Sequence, residues 1–449
     1  SWTDATVRVA LGLPDGGGRP RSFVGISTDT RTIAPGALYV ALQGERFDGH
    51  QFLAAAARAG AAGAVVRAGT PPVEGLLFYE VADTLRALGD LGRARRRAVL
   101  GPVVAVTGSN GKTSTREMIA AVLRTAYRTH ASRGNDNNLV GIPLSLLATP
   151  PGTEALVIEA GASEPGEIPR AREIIEPTTA VVTNVSPSHL EGFVSMEGIL
   201  REKLALLDQV PLAIVGTEPP DLAERARRHA YRVVSAGLAE ADRIPERLEL
   251  DQAGHPTLVV EGCTIVLPLI GRHQAGNAML AWALAQELDL NRARAAESLA
   301  RLSIPGGRGE VLQVGGLTIV NDCYNANPTS FRAAIATAAA MRPGRRLVFV
   351  AGTMRELGAR AGPLHDEVAR ALVSLGPEVL AAVGDFVPAL AGYADALGDR
   401  LVTAPDPPAL GPILAARLRG DELVVLKASR GVALERIIPH LTGPANSQS

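Results

Sequence analysis

One stretch of the chain constrains its fold more than any other. The apolar run VVAV (103–106) reads as a short buried strand. It leads into TGSNGKTS, from Thr107 to Ser114, and then into REMIAAVLRTA (116–126), which has helical spacing. Glycines let the backbone turn its N–H groups towards one centre, and the following helix N-terminus adds its positive end, so strand, loop and helix together make an anion site. Lys112 is the right type to reach the β- and γ-phosphates of a nucleotide, and Thr113 to stand on Mg²⁺. The general phosphate-loop consensus would place its first glycine where Val106 stands, so this is the tighter T-G-x-N-G-K-T form. Gly108, Asn110, Gly111, Lys112, Thr113 and Ser114 are the expected nucleotide-binding residues.

Such a loop belongs at the carboxyl end of a strand in a parallel sheet, and the rest of the chain has the matching rhythm. Up to residue 98, GALYVAL (36–42) and AGAVVR (62–67) read as strands and FLAAAARAGA (52–61) as a helix. Between 99 and 308, EALVIEAG (154–161), TTAVVTNV (178–185) and PLAIVG (211–216) are further strands. After a hinge at PGGRGE (305–310) come LTIVND (317–322), RRLVFVAG (345–352), EVLAAVGD (378–385) and ELVVLKAS (422–429). Short continuous apolar runs alternating with helical patterns indicate parallel sheets covered on both faces. The expected class is α/β in three domains: an N-terminal domain over 1–98, a central phosphate-loop domain over 99–308 with helices on both faces of its sheet, and a Rossmann-like C-terminal domain over 309–449.

Composition excludes several functions. A net charge of -1 over 449 residues gives no electrostatic reason to bind nucleic acid or an anionic membrane. The basic run Arg93, Arg95, Arg96 and Arg97 reads as a solvated helix end or linker. No apolar stretch approaches the ~20 residues of a membrane span, and the N-terminal residues do not resemble a signal peptide. Cys263 and Cys323 lack metal-type spacing and fit a reducing, cytoplasmic setting. The C-terminal GPANSQS reads as disordered.

Of 45 basic residues only three are lysines: Lys112, Lys203 and Lys427. Where charge alone suffices the chain uses arginine, so each lysine marks a place where a compact charge or a removable proton could matter. Asparagine is equally scarce, with 11 in all. Glu159 ends the strand EALVIE, His189 lies in the loop SPSHLEGF, and Lys203 follows 14 residues later in the helical pattern ILREKLALL. Downstream of a phosphate loop, a carboxylate and an imidazole can hold Mg²⁺ beside the γ-phosphate. An unmodified Lys203 ammonium would repel that ion.

Taken together, TGSNGKT, GNDNNLVGIPLSLL (134–147), TNVSPSHLEGF (183–193), GRHQAGNA (271–278), NDCYNANPTSFRAA (321–334) and VLKASR (425–430) resemble the Mur ligase superfamily over nearly the whole chain. The segments YNANPTS and GNDNN are closest to its MurF-type branch, which adds a dipeptide. The resemblance implies an ATP- and Mg²⁺-dependent ligase that joins D-Ala-D-Ala to UDP-N-acetylmuramoyl-tripeptide through an acyl phosphate, as a cytoplasmic monomer. It implies that Lys112, Lys203, His189 and Arg308 are catalytic, and that Thr113, Glu159, His189 and a carbamylated Lys203 bind metal. Asn277 and His273 would lie on the adenine side, Arg308 at the ATP phosphates and Asp322 at the ribose. Asn135 and Asn138 would face the UDP-linked peptide, Ser27, Asp29, Thr30 and Arg31 the uridine nucleotide, and Asn325 and Asn327 the reacting ends. Thr353, Ala428 and Val194 depart from the family pattern, which keeps a paralogue with another amine as an alternative, beside a nucleotide-binding protein without ligase activity.

Overall fold

The computed structural model describes residues 2–16, 21–44, 47–187, 190–193, 195–304 and 309–442. His189, Arg308, Val194, most of the expected hinge and the C-terminal tail lie outside these residues.

The N-terminal part forms a four-stranded parallel sheet in chain order: β1 (Ile26–Ser27), β2 (Leu38–Val40), β3 (Gly63–Arg67) and β4 (Leu77–Val81). Helices α1 (Asp4–Leu11), α2 (Leu53–Arg58) and α3 (Thr84–Arg96) accompany it. Leu38, Val40 and Val65 pack with Phe23, Leu88 and Leu91 on one side, while Tyr39, Ala64 and Val66 pack with Leu53 and Ala56 on the other. The period-two alternation of strand side chains thus feeds two cores. Asp83 starts α3 by accepting hydrogen bonds from the N–H groups of Leu85 and Arg86.

The central sheet contains β5 (Val103–Thr107), β6 (Thr129–Ala131), β7 (Ala155–Glu159), β8 (Thr179–Val182), β9 (Leu212–Val215) and β10 (Arg232–Ser235), in the order β10-β9-β8-β5-β7-β6. The helix α4 (Lys112–Leu123) follows β5, α5 (Gly141–Leu147) precedes β7, α6 (Glu167–Ile175) links β7 to β8, and α7 (Met196–Leu204) lies between β8 and β9. Every residue of β5, β7 and β8 is buried, as strands covered on both faces must be. Next come an antiparallel trio, β11 (Arg247–Leu250), β12 (Pro256–Val260) and β13 (Cys263–Val266), and the helices α8 (Arg272–Glu287) and α9 (Arg292–Ala300).

The C-terminal sheet has the order β14-β15-β19-β16-β17-β18. Its strands are β14 (Glu310–Val314), β15 (Leu317–Asp322), β16 (Leu347–Ala351), β17 (Val379–Val383), β18 (Leu401–Ala404) and β19 (Leu423–Lys427), with α10 (Pro328–Met341), α11 (Ala361–Leu375) and α12 (Pro407–Ala415) between them. All pairings are parallel except β14 on β15.

The residues gather into two compact units: Ser1–Val106, Tyr127–Ala162 and Gly166–Ala180 in the first, and Thr107–Ala126, Ser163–Pro165 and Val181–Ser449 in the second. Every strand expected from the sequence is present. The antiparallel trio was not expected, nor were the edge strands β1, β4, β6, β10, β14 and β18. In β11 only alternate residues are partly shielded, so it lacks the apolar run that marked the buried strands.

The arginine run departs from the expectation of a solvated helix end. In the first unit Arg96 lies with its Nε 2.6 Å from the Ile175 carbonyl and its NH2 2.6 Å from that of Glu176, donating to both. It thereby satisfies carbonyl groups left over at the C-terminus of α6. Glu176 takes the left-handed conformation there (φ 42°) and accepts from Arg93 and Arg97. These bonds, that of Arg97 first, outweigh partial burial and hold its carboxyl down at about 2. A depressed carboxylate stabilises the fold above its ordinary value of 4.5 and loses that effect as the pH falls towards about 2. Glu176→Gln is therefore expected to melt below the wild type at pH 7. Calorimetry should show the gap intact down to about pH 4.5 and closing on further acidification. A gap that acid leaves unchanged would remove the ion pairs from the account.

Candidate functional site

In the second unit the loop after β5 is built against the end of β8. Thr183 Oγ1 donates to the Asn110 carbonyl at 2.5 Å and Asn184 Nδ2 to the same oxygen at 3.1 Å. The Asn110 N–H donates to Asn184 Oδ1 at 3.1 Å, so the Asn184 amide holds the two peptide groups that flank the Asn110 Cα. Ser109 and Ser186 exchange two further bonds of 2.9 Å, and Asn110 Nδ2 donates to Ser186 Oγ at 3.0 Å. The approach is close because the loop carries glycine. A Cβ on Gly108 would lie 1.8 Å from Thr183 Oγ1, and one on Gly111 (φ 77°) 2.6 Å from Asn277 Oδ1. Gly111 then starts α4 without a side-chain cap, leaving the first turn's N–H groups facing the loop. Lys112 Nζ donates to the Gly108 carbonyl at 2.9 Å, across that turn. Thr113 and Ser114 are buried behind it.

Lys203 comes from α7, which starts at a Ser195 cap. It is 2% exposed. Burial first, and the positive charge of Lys112 second, bring its amine down to about 7, since both disfavour the ammonium form. Asn277 is buried and donates from Nδ2 to Gln274 Oε1 at 3.1 Å, while His273, one turn earlier in α8, is exposed. At the end of β15, Asp322 accepts from Lys427 Nζ at 2.6 Å, and the same ammonium reaches the Asn325 carbonyl at 2.8 Å. The third lysine thus anchors the loop that carries Asn325 and Asn327.

In the first unit Glu159 is 1% exposed at the end of β7. Its N–H donates to Ser132 Oγ at 3.1 Å, and its Oε1 accepts from Asn137 Nδ2 at 2.9 Å. Asn137 itself sits between the two expected asparagines. Asn135 Oδ1 accepts from Asn137, and Asn138 Oδ1 accepts from the N–H groups of Val140 and Gly141 in the turn that leads into α5. The Ser27–Arg31 loop organises itself: Asp29 accepts from the Arg31 backbone and guanidinium, with its carboxyl held at about 2, chiefly by the guanidinium bond. Thr30 lies in the same turn. Among the described residues no cluster of three or more His, Cys, Asp and Glu side chains could hold a metal ion.

The departures at Thr353 and Ala428 have a local account. Thr353 Oγ1 accepts from the Asp385 N–H at 2.9 Å, and the Ala428 methyl is fully buried, close enough to Gly352 that a Cβ there would meet it at 2.7 Å.

Models of three Mur ligase segments match in order: "Mur ligase family, catalytic domain" over 22–96, "Mur ligase middle domain" over 106–285, and "Mur ligase, glutamate ligase domain" over 307–430. The UDP-N-acetylmuramoyl-tripeptide–D-alanyl-D-alanine ligase of Bacillus subtilis is 34% identical over 428 residues, 93% of each chain. The chain belongs to the Mur ligase family. It has the three-domain Mur ligase fold: MurF from Acinetobacter baumannii superimposes with a TM-score of 0.87 at 29% identity over 98% of each chain. A MurF ligase from Thermotoga maritima, solved with ADP, gives 0.83 at 27% identity over 93% of this chain and 97% of its own.

The sequence reading of this Mur ligase overlooked Thr183, Asn184, Ser186 and Asn137, which hold the loop and Glu159. The scarcity of asparagine was the usable signal. The glycine cradle gives a paired prediction. Gly111→Ala should weaken ADP binding at least tenfold and lower stability by roughly 1–3 kcal/mol, because it forces a side chain onto a left-handed residue against Asn277. Gly276→Ala, in open space inside α8, should instead stabilise by roughly 0.5–1 kcal/mol. Titration with ADP and thermal melting read both, and equal behaviour of the two variants would contradict the cradle.

Proposed function

We propose that this chain joins D-alanyl-D-alanine to UDP-N-acetylmuramoyl-tripeptide with conversion of ATP to ADP and phosphate, in the cytoplasm and as a monomer. The reading is carried by the glycine cradle crossed by Lys112, in a chain alike over 93% of its length to a relative named for this reaction. A side chain at Gly108 or Gly111 would displace Thr183 or Asn277 and distort the loop, while the first-turn N–H groups and Lys112 supply the positive charge, so the residues present suit an anionic triphosphate. The domains proposed are 1–98 for the uridine nucleotide, 99–308 for ATP and 309–449 for the incoming dipeptide.

The tripeptide carboxylate takes the γ-phosphoryl group, giving an acyl phosphate and ADP, and the dipeptide amine then displaces phosphate from the acyl carbon. Two anions must first be brought together. The loop N–H groups, Lys112 and Arg308 offset their repulsion as charge develops. Asn137 orients Glu159, while Asn135, Asn138 and the Ser27–Arg31 loop position the UDP-linked substrate. Holding both reactants aligned can lower the barrier by ~7–11 kcal/mol. Thr113, Glu159 and His189 are the residues that would hold Mg²⁺, which would supply positive charge at the phosphates. His273 and Asn277 face the adenine, and Asp322, held by Lys427, the ribose.

Lys203 completes the site as a carbamate. The ammonium first gives up one proton; the neutral amine then adds CO₂, an N–C bond forms and a second proton leaves, so that a cation becomes an anion. Its burial and its place among only three lysines support this reading; arginine cannot do it, because guanidinium keeps its proton.

Lys203→Ala should lose at least ~100-fold in turnover, as removal of an electrostatic catalytic group does, while ADP affinity stays within a few-fold. Bicarbonate depletion should slow the wild type, and labelled bicarbonate should give a carbamate carbon signal absent from the variant. An unchanged turnover would remove Lys203 from the mechanism, and a loss of turnover without bicarbonate dependence would remove the carbamate alone. A panel of amines should yield product with D-Ala-D-Ala; product only with a single L-amino acid would overturn the substrate assignment.

A further inference from the structure

Asn327 uses one side-chain amide twice. Its Oδ1 accepts from the Ser330 N–H at 2.9 Å, and its own N–H donates to Ser330 Oγ at 3.0 Å, a reciprocal box at the start of α10 with Pro328 at the first helical position. With the carbonyl committed to the cap, Nδ2 faces the opposite way. There it donates to Asn110 Oδ1 of the phosphate loop at 2.7 Å.

Asn110 is equally constrained. Its backbone is gripped by Asn184 and Thr183, and its Nδ2 donates to Ser186 Oγ. Each amide therefore has its oxygen and nitrogen assigned by a separate partner, and the pair fits in one orientation only. Asn327 is 2% exposed and Asn110 partly so, which leaves the bond largely shielded from solvent.

Behind Asn327 the chain is fastened again. Lys427 Nζ binds both Asp322 and the Asn325 carbonyl, joining this segment to the end of β19. The short segment Asn325–Asn327, tied to Lys427 at one end and to the Asn110 side chain at the other, thus joins the C-terminal sheet to the phosphate loop.

We propose that Asn327 is a positioning residue: through Asn110 it registers the C-terminal α/β sheet on the phosphate loop, so that turnover depends on this amide pair while nucleotide affinity does not. The inference rests on the ligase reading and assigns Asn327 to holding the loop rather than to substrate contact. A nucleotide can sit in the loop held by Asn184 alone. Transfer to a carboxylate also needs the groups carried after β15, and the amide pair sets their distance from the loop.

Two substitutions separate this role from helix capping. Asn327→Asp keeps a good N-cap but turns the donor facing Asn110 Oδ1 into a second acceptor. Asn327→Ser also keeps a cap and cannot reach Asn110. For both, kcat should fall about tenfold or more, equivalent to about 1.4 kcal/mol, with Asp the worse. ADP dissociation constants should stay within about threefold and melting temperatures within a few degrees, since the cap and the cradle are intact. Wild-type turnover in both variants would overturn the proposal. So would a melting temperature that falls in step with kcat, which would leave only a cap, or an ADP constant that rises in step with it, which would make Asn327 a nucleotide contact. A wild type that forms no peptide product would instead defeat the ligase reading, and this inference with it.

Discussion

The Asn184 side chain holds both the N–H and the carbonyl of Asn110. That pair of bonds shapes the anion cradle, because a glycine-rich loop has no conformation of its own to fall back on. β8 brings Asn184 to the loop, and the buried, continuous β strands set where β8 ends. Gly108 and Gly111 then let Thr183 and Asn277 come within the space that a methyl group would take. The chemistry proposed for Lys112 and Lys203 depends on this frame: a lysine can serve a transferring phosphoryl group only if the loop beneath it does not yield.

The three lysines occupy three different environments. Lys112 lies on the loop, Lys203 is buried in α7, and Lys427 is buried in an ion pair with Asp322. Truncating one partner of such a pair leaves the other charge uncompensated, so Lys427 and Asp322 stand or fall together. In the arginine run, by contrast, planar guanidinium groups fork between carbonyls and a carboxylate at the end of α6, a geometry that an ammonium would not reproduce.

Much of this was legible in the sequence. The buried parallel strands announced themselves as apolar runs, and the phosphate loop by its glycines, lysine and following helix. The antiparallel trio and the edge strands were not legible, because half-exposed strands such as β11 carry no continuous apolar signal. At the site, residue types marked Glu159 and Lys203, and the structure finds both buried. What the sequence could not show was which asparagine faces which partner. Asn137 rather than its neighbours meets Glu159, Asn138 spends its side-chain carbonyl on the turn before α5, and Asn327 spends its amide on Asn110. Spacing constrains backbone position, whereas the direction of an amide is decided by its partners, some local, as Ser330 is for Asn327, and some distant in the chain, as Asn110 is.

The central claim is that a peptide carboxylate becomes an acyl phosphate on this loop, and an oxygen label follows that step atom by atom. With the terminal carboxylate of the UDP-linked tripeptide labelled with ¹⁸O, and ATP, Mg²⁺ and D-Ala-D-Ala supplied, the account predicts one labelled oxygen in the phosphate released and one in the new amide carbonyl. Phosphate free of label, with product still formed, would contradict it.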